Sequence, residues 1–321
     1  MHIPDGFLDS KTIAVTAVIA GGGLAAALGH ARRNVLPRQV PLMGLAAAFV
    51  FAAQMLNFPV MAGTSGHLVG GVLTAVLLGP SAAVIVISAV LIVQCLLFAD
   101  GGMTALGANI LNMGLIGAVG GYGIYRAVSG LIPGLTGKLT GAAFAAWVTT
   151  VLAAICCAGE LAVSGTVPWG TVLPTMAGVH MLIGVGEAVI TALVLAAVAK
   201  PRPELLAGTA RPGRTGYAMF AVYGVLIALG LALFASPLAS KWPDGLDYAA
   251  GRLGFESRAA EGALVRAPMG EYRVPGLGEG AMATSAAGGV GTVVVFGLAF
   301  GLARALAGRG KLEAGGATEN V

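Results

Sequence analysis

The sequence predicts an all-α integral membrane protein, a polytopic helix bundle of about seven spans followed by a two-span C-terminal hairpin. Three observations lead to this prediction. The chain is 57% hydrophobic and only 10% charged, whereas soluble domains carry roughly 25% charged residues. Long apolar runs recur along the chain, and basic residues collect in alternate connections between them. A chain of this composition cannot cover a water-facing surface, so lipid must contact much of it.

Each predicted span is an apolar run near the roughly 20 residues that a helix needs to cross a bilayer. Eight such runs lie at about 12–29, 40–57, 81–99, 104–126, 139–162, 176–199, 217–236 and 283–303. A ninth and shorter run, at about 66–78, ends at the Gly79-Pro80 break. Backbone groups in lipid must be hydrogen-bonded within the chain, so continuous Ala, Val and Leu runs indicate helices; a β-barrel would alternate instead.

The basic residues test this number of spans, because positive charge in short loops stays on the cytoplasmic side. With nine spans and an outer N-terminus, the inner connections hold twelve of the eighteen basic residues: Arg32, Arg33, Arg38, Arg126, Lys138, Lys200, Arg202, Arg211, Arg214, Arg304, Arg309 and Lys311. The short outer connections at 57–66, 100–104 and 163–175 hold none. Omitting the short span would put the cluster at 200–214 outside. We therefore predict an N-out, C-in topology.

The chain divides into two membrane parts. Residues 1–200 form the first part, with seven spans and tight connections. A basic linker containing three prolines follows at 201–216. Residues 217–321 then form a two-span accessory hairpin with a long outer loop at 237–282. This arrangement predicts the fusion of a large and a small membrane subunit.

The N-terminus is the first candidate for chemistry. The opening Met1-His2-Ile3-Pro4-Asp5 lacks the early Lys or Arg of a signal peptide, so we expect Met1 to keep a free amine. That amine, the amide nitrogen of His2 and the Nδ1 of its imidazole can bind one metal in fused chelate rings. Deprotonating an amide requires a metal high in the Irving–Williams order, and a planar nitrogen field suits Ni(II) or Cu(II).

A fourth nitrogen is expected from His67. The chain has four histidines, of which His30 adjoins the inner basic cluster, across the membrane from the N-terminus. His67 follows Gly66 at the outer end of the short span, on the same side as Met1. A histidine within a span is a functional hypothesis by default. The alternative is that His2 is an incidental terminal residue and His67 a polar group that starts a helix.

Further polar residues in the spans could orient these ligands or form a path for the metal. They are Asn57, Ser65, Asn109, Asn112, His180 and Glu187. Each alone is more often a hydrogen-bond partner between helices. No catalytic residue or organic cofactor is predicted, because the motifs HExxH, GxSxG and GxxxxGK[ST] are missing from the sequence. Two other classes stay open: an intramembrane metal-dependent enzyme using His67, His180 and Glu187, and a metal-independent channel or assembly subunit.

The chain resembles the CbiM/NikM family, the metal-binding membrane components of energy-coupling factor transporters for cobalt and nickel. The resemblance rests on MHIPDGFLD at 1–9, NFP at 57–59, SGHLVGG at 65–71, and LGAN at 106–109 with NMG at 112–114. The hairpin is similar to the small NikN/CbiN-type component. It carries SPLAS at 236–240 and PDGLD at 243–247, where Asp247 replaces the Glu of the family's PDGLE string.

The resemblance implies a NikMN-like fusion that carries Ni(II), with Co(II) as the alternative substrate, bound by Met1, His2 and His67. It also implies a transporter component without its own ATPase. The expected partners are a transmembrane coupling subunit, ABC-type ATPase subunits and membrane lipid, with no nucleic acid. The expected location is the inner (plasma) membrane of a prokaryote, as a multi-pass protein.

Overall fold

Long helices account for most of the chain. The computed structural model describes residues 1–60, 63–207, 214–259, 267–278 and 280–307. Its α-helices are α1 (Ser10–Asn34), α2 (Val40–Gln54), α3 (Gly71–Leu78), α4 (Pro80–Val93), α5 (Leu106–Asn109), α6 (Gly121–Ser129), α7 (Gly134–Val163), α8 (Trp169–Ala199), α9 (Pro203–Ala207), α10 (Arg214–Gly230), α11 (Gly245–Leu253) and α12 (Ala281–Ala307). Turns of π-helix continue α4 over Gln94–Phe98, join α5 to α6 over Ile110–Gly120, and extend α10 over Leu231–Ala235.

The apolar runs of the sequence coincide with these helices. Among the described residues, six helices are long and apolar enough to cross a bilayer: Ser10–Asn34, Pro80–Phe98, Gly134–Val163, Trp169–Ala199, Met219–Leu238 and Ala281–Ala307. The prediction of a multi-pass helical membrane protein is confirmed at this level. Large apolar side chains such as Val18, Leu193 and Phe234 are exposed on the helix surfaces, as expected for groups that face lipid tails.

One predicted span is shorter than expected, and the fold is not purely α-helical. The run 40–57 leaves the helix after Gln54, and Phe58–Val60 (β1) pairs antiparallel with Thr64–Gly66 (β2), with Pro59 opposite Ser65. Proline has no N–H to donate, and it disfavours helical geometry in the residue before it. Asn57-Phe58-Pro59 therefore ends the helix and starts a small ribbon, whose second strand is buried.

The short run at 66–78 contains a helix of only eight residues, α3. Buried residues 67–70, which belong to no helix or strand, precede it. Eight helical residues rise only about 12 Å, less than the hydrocarbon core of a bilayer. Non-helical backbone is tolerated at membrane depth where protein surrounds it. Gly79 then takes a φ of 87°, which favours glycine, and Pro80 starts α4.

Small residues let these helices approach closely. A Cβ on Gly71 of α3 would lie 2.8 Å from the Gly117 carbonyl carbon, and one on Gly107 would lie 2.6 Å from the Ala17 Cα. Either added methyl group would force two helices apart. The high glycine content thus serves packing, in the manner common to membrane helix interfaces.

The N-terminal segment and the hairpin loop meet at one end of the bundle. Residues 1–9 fold back into the protein, and Met1 and Ile3 are buried. Within the predicted outer loop 237–282, α11 contacts α8 and β2, and the Met269 N–H donates to the Leu97 carbonyl at 2.9 Å. Parts of the predicted linker, outer loop and C-terminus lie outside the described residues: 208–213 with Arg211, 260–266, 279, and 308–321 with Arg309 and Lys311.

Candidate metal centre

The N-terminal segment is held in place by side chains of the bundle. The Ile3 N–H donates to Asn109 Oδ1 at 2.8 Å, and the Ile3 carbonyl accepts from Asn109 Nδ2 at 3.1 Å. Asp5 Oδ1 accepts from the Thr104 N–H at 2.8 Å and from its hydroxyl at 2.6 Å. Asn109 is one of the polar residues that the sequence analysis expected near the site. It thus positions the backbone next to Met1 and His2.

The Met1 amine and the His67 imidazole are neighbours. The amine nitrogen lies 3.1 Å from His67 Nε2, and the rings of His2 and His67 stack with centroids 5.2 Å apart. His67 Nδ1 lies 3.1 Å from the Leu68 carbonyl oxygen. A proton on Nδ1 satisfies that oxygen, which leaves the Nε2 lone pair directed toward the amine. Two of the predicted donor nitrogens therefore already lie side by side.

The His2 imidazole is engaged differently from what its sequence position predicts. Its Nδ1 lies 3.2 Å from Asp100 Oδ1, and its Nε2 is buried with no hydrogen-bond partner among the described residues. A chelate through Nδ1 requires the ring to exchange Asp100 for the metal. The arrangement seen here brings the donor groups together without yet aligning all of them.

The loop that carries His67 is fixed by Glu187 of α8. Glu187 Oε2 accepts from the Val69 N–H at 2.6 Å, and Oε1 accepts from the Gly70 N–H at 2.9 Å. Gly70 has a φ of 78° and begins α3, so the backbone turns there while its N–H groups converge on one carboxylate. Both oxygens of Glu187 are used in this way. Its role is to position the His67 loop, and it is not within the ligand set.

A short piece of the hairpin covers the site. Residues 242–245 of the outer loop, called the cap from here on, bind β2: the Ser65 N–H donates to the Pro243 carbonyl at 2.8 Å, and the Ser65 hydroxyl donates to the Trp242 carbonyl at 2.7 Å. The Ser240 N–H also donates to the Asn57 carbonyl at 2.8 Å. Of the two residues predicted near the site, Ser65 therefore contacts the cap, and Asn57 contacts Ser240, which precedes the cap.

Asp244 joins the cap to the N-terminus. Its Oδ2 lies 2.5 Å from the Met1 amine. Its Oδ1 accepts from the N–H groups of Leu246 at 2.7 Å and Asp247 at 3.0 Å, which caps the first turn of α11. The same carboxylate thus starts a helix and pairs with a proposed metal donor 243 residues away in the sequence.

Burial and ion pairing act in opposite directions on the ionisable groups around Met1. Burial lowers the pKa of His2. Burial also disfavours the Met1 ammonium, but Asp244 offsets this and the pKa of the amine is raised. Burial likewise works against the Asp244 carboxylate, yet its pKa is lowered because the Met1 ammonium lies beside it. Near neutral pH the His2 imidazole is therefore neutral and the amine carries a proton.

A second segment of the hairpin loop reaches the His2 side of the site. The Tyr272 hydroxyl donates to Asp100 Oδ2 at 2.5 Å and accepts from Gln94 Nε2 at 3.2 Å. Its ring stacks on Phe98, with centroids 4.6 Å apart. Since Asp100 Oδ1 contacts His2, Tyr272 is one hydrogen bond away from the His2 imidazole.

The space left between these groups is small. A cavity of about 10 Å³ is lined by Met1, Gly66, His67, Val69, Thr150, His180, Ile183, Asp244 and Gly245. This is close to the minimum that one water molecule needs, so a hydrated ion does not fit. A Cβ on Gly245 would lie 2.6 Å from His180 Cε1. The cap therefore sits directly on His180, a predicted residue that lines the cavity.

Asn112 is the last of the polar residues predicted near the site. Its Nδ2 donates to Glu160 Oε2 at 2.8 Å and so pairs within the bundle. Among the described residues, no group of three or more His, Cys, Asp or Glu side chains could hold a metal; the candidate set depends on main-chain nitrogens. Sequence reasoning missed Asp244 and Tyr272 as neighbours of the candidate ligands. The available signal was the acidic residue inside the string Pro243-Asp244-Gly245, given that a free N-terminal amine had been predicted.

Family models match both membrane parts of the chain. The family described as cobalt uptake substrate-specific transmembrane region, CbiM, matches residues 2–205, and the PDGLE domain matches residues 218–308. The chain belongs to the CbiM/NikM family, fused to a NikN-like component. The predicted resemblance is thereby confirmed. In this CbiM/NikM-family chain, His2 and His67 lie in the first matched region and the cap lies in the second.

Individual relatives cover the whole fusion. The chain is 38% identical over 307 residues to a protein of Archaeoglobus fulgidus provisionally named as a fused nickel transport protein, NikMN, covering 95% of this chain and 98% of that one. It is 33% identical to the fused nickel transport protein NikMN of Rhodobacter capsulatus, covering 86% and 83%. A crystal structure of a truncated transition metal transporter matches with TM-score 0.57 and 34% identity, over 62% of this chain and 99% of that one. These relatives are named as nickel or transition metal transport proteins.

Proposed function

We propose that this chain is the substrate-capturing component of an ATP-driven energy-coupling factor transporter that imports Ni(II). The observation that carries the proposal is the buried contact between the Met1 amine and His67 Nε2, 3.1 Å apart, beside the His2 ring. Two neutral imidazoles, an amine and an ionisable amide form a nitrogen set that suits a square-planar ion. The proposed ligands are Met1, His2 and His67.

Capture begins with the loss of water from the ion, because the cavity is too small for a hydrated one. The amine gives up the proton that Asp244 now stabilises. The His2 amide loses its proton to the solvent, and the His2 ring exchanges Asp100 for the ion. His67 completes the set from a loop that Glu187 already fixes. Binding therefore costs little conformational entropy at His67.

The hairpin is proposed to act as the cover of this site. Its cap is hydrogen-bonded to β2 and paired with the amine through Asp244. A bound ion needs the lone pair of the Met1 amine, whereas Asp244 stabilises the protonated amine, in which that lone pair is occupied. Metal binding and the Asp244 contact therefore compete, and the cap must shift when the ion enters or leaves.

Nickel is favoured over cobalt as the substrate, and the coupling partners are inferred. Fused relatives are named nickel transport proteins, while a shorter match in Geobacter sulfurreducens is named a cobalt transport protein, CbiM. Planar nitrogen coordination suits Ni(II) more than Co(II). A transmembrane coupling subunit and ABC-type ATPases would supply the energy, and this chain is assigned no ATPase activity of its own.

We infer nine crossings, with the metal centre outside and the basic end of the bundle inside, in a prokaryotic plasma membrane. The segment 67–78 supports this count because it runs from His67 to Leu78. Leu78 lines a cavity together with Arg38 and Arg126 of the basic end. The boundaries proposed for the two parts are 1–200 and 217–321, joined by the linker 201–216, in keeping with the matched ranges 2–205 and 218–308.

Isothermal titration with Ni(II) and Co(II) tests the proposed ligands. The protein must carry its free Met1 amine. One-to-one binding, tighter for Ni(II) and lost in His2→Ala and His67→Ala, is expected. His30→Ala is the matched control, because His30 is an exposed histidine at the far end of α1. Unchanged binding in the two ligand variants would contradict the proposed set. His180, which lines the same cavity, would then be the next candidate ligand.

Blocking the amine gives a second and independent test. Acetylation or a long N-terminal tag removes the amine lone pair and is expected to abolish tight binding. A single added residue is unsuitable, because it would place the histidine third, where a new amine, two amides and the imidazole could chelate the ion. Full affinity in the acetylated protein would rule out the terminal chelate.

A further inference from the structure

The basic end of the bundle holds a large polar cavity that the metal site does not use. It has a volume of about 620 Å³ and lies at the opposite end of α1 from Met1. The charged residues among its lining are Arg38, Arg126, Lys138 and Glu204. We call this cavity the basic pocket. It is enclosed by the ends of α1, α3, α6 and α9, the start of α7 and the N-terminal part of α10.

Three cations of the basic pocket lack an acidic partner. Among the described residues, Arg38, Arg126 and Lys138 form no ion pair, whereas Glu204 lies 3.5 Å from Arg202. The pocket therefore presents an excess of positive charge to whatever enters it. Pockets of this kind between helices on the cytoplasmic side favour anionic lipid head groups.

A buried hydroxyl points to the same kind of ligand. Tyr217 lines the pocket and is only 3% exposed, yet its hydroxyl has no hydrogen-bond partner among the described residues. Glu204, Arg38 and Arg202 all lie near enough to affect it electrostatically. A buried hydroxyl without a partner costs stability. A phosphate oxygen would accept its hydrogen bond and pair with the cations at once.

An apolar groove continues from the pocket toward the lipid. Its volume is about 380 Å³, and it shares Leu42, Leu77, Leu78 and Leu205 with the basic pocket. Tyr223 and Ile227, both about 60% exposed, flank its outer side. A long apolar groove that ends in a cationic pocket matches a molecule with an acyl chain and an anionic phosphate.

We propose that this pocket and groove form a binding site for one anionic phospholipid. The phosphate lies among Arg38, Arg126, Lys138 and the Tyr217 hydroxyl, and an acyl chain fills the groove. The site would join α9, which lies within the linker, and α10, the first helix of the hairpin, to the first membrane part. A soluble phosphate would leave the groove unfilled, and a zwitterionic lipid would leave the cationic charge uncompensated.

Native mass spectrometry of the delipidated full chain tests the site, with phosphatidylglycerol and phosphatidylcholine titrated separately. Wild type is expected to retain one phosphatidylglycerol in preference to phosphatidylcholine. Arg126→Gln/Lys138→Gln is expected to lose on the order of tenfold in phosphatidylglycerol affinity, and Tyr217→Phe to lose several-fold. The matched control is Arg32→Gln/Arg33→Gln, which removes the same charge from exposed positions at the same end. Ni(II) titration of every variant verifies folding, because the metal centre lies at the other end.

Three results would overturn the proposal. Equal binding of the two lipids would show that the pocket does not select an anion. An equal loss in the control variant would assign the preference to the general surface charge. Glycerol phosphate that displaces phosphatidylglycerol at similar concentration would show that the groove holds no acyl chain. If Arg126→Gln/Lys138→Gln fails the Ni(II) check, Tyr217→Phe alone decides, and an unchanged affinity in that variant rejects the site.

Discussion

At the residue scale, the candidate metal centre combines local and distant groups. The amine of Met1 and the amide and imidazole of His2 are separated by a few covalent bonds, so their chelate rings follow from the chain itself. His67 comes from a loop that Glu187 fixes through two backbone N–H groups. Groups that hold a ligand in position commonly affect metal affinity about 10- to 100-fold. Two predictions belong at this scale.

The affinity for Ni(II) is expected to rise with pH. The Met1 amine has a raised pKa because Asp244 outweighs its burial, so below that pKa the ion must displace one proton there and another from the His2 amide. Release of about two protons corresponds to about 100-fold in affinity per pH unit. Titration at several pH values, in buffers of different ionisation enthalpy, measures both quantities. A pH-independent affinity from about pH 6 to 8 would contradict the amine and amide as ligands.

Replacing Glu187 with Gln is expected to weaken Ni(II) binding about tenfold or more. The amide can accept only one of the two N–H bonds now made by the carboxylate, and its NH₂ group faces the other N–H. The His67 loop then loses its fixed position. Glu204→Gln, at the basic end of the protein, is the matched control and should leave binding unchanged. An unaffected Kd in Glu187→Gln would show that the loop is held by other contacts.

At the scale of elements, the hairpin loop covers the site by two separate contacts. The cap binds β2 and the amine, and the turn Gly270–Tyr272 binds Asp100 and Phe98. Glu271 and Tyr272 have φ values of 54° and 56°, a conformation that costs energy in non-glycine residues. The stacked ring and two hydrogen bonds of Tyr272 offset that cost. The loop is therefore held in place by interactions with the metal-centre part.

Tyr272→Phe is expected to speed Ni(II) release about tenfold, because it removes a hydrogen bond to a charged group and keeps the ring on Phe98. Stopped-flow release into a chelator measures the rate. Tyr248→Phe is the matched control, since the hydroxyl of Tyr248 contacts only Arg252 among the described hydrogen bonds. Equal release rates in the two variants would show that the Tyr272 contact does not hold the site closed.

The contact between Gly245 and His180 can be tested by paired substitution. Gly245→Ala places a methyl group 2.6 Å from His180 Cε1, so the cap must move and Ni(II) is expected to dissociate faster. In a His180→Ala background the methyl group has room, and the same change should have little effect. The coupling energy from the double-mutant cycle is the measured quantity. A coupling of zero would mean that the cap does not rest on His180 in solution.

At the scale of the whole molecule, two ends with opposite properties define the protein. One end gathers the N-terminal segment, the His67 loop and the hairpin loop, while the other carries the arginines and lysines of the connections. Positive connections stay on the cytoplasmic side. The metal centre would then open to the outside, where a scarce ion must be captured.

This orientation predicts a labelling pattern in intact cells. In a background without the natural cysteines, Ser240→Cys next to the cap should react with a membrane-impermeant maleimide. Arg33→Cys at the end of α1 should react only after the membrane is opened. Ser240 lies in the predicted outer loop, and Arg33 lies in the last turn of α1, beyond its apolar run at 12–29. The reverse pattern would invert the topology and place the metal centre in the cytoplasm.

The sequence by itself determined the membrane class, the approximate positions of the long helices and the donor groups at the N-terminus. Each depends on neighbouring residues: an apolar run satisfies its own backbone as a helix, and the first two residues hold three donor nitrogens. Pro59 also marks the end of α2 in the sequence, but only the structure shows that the chain then forms a β-ribbon.

Only the tertiary structure decided what surrounds those ligands. Asp244 meets the amine across 243 residues and Tyr272 meets Asp100 across 172, and no local pattern specifies which distant side chain will fill a given space. Packing of the whole bundle sets that choice, because the hairpin loop meets the N-terminal segment only through contacts between residues far apart in the sequence. The same packing brought Arg38, Arg126 and Tyr217 from separate helices to one pocket.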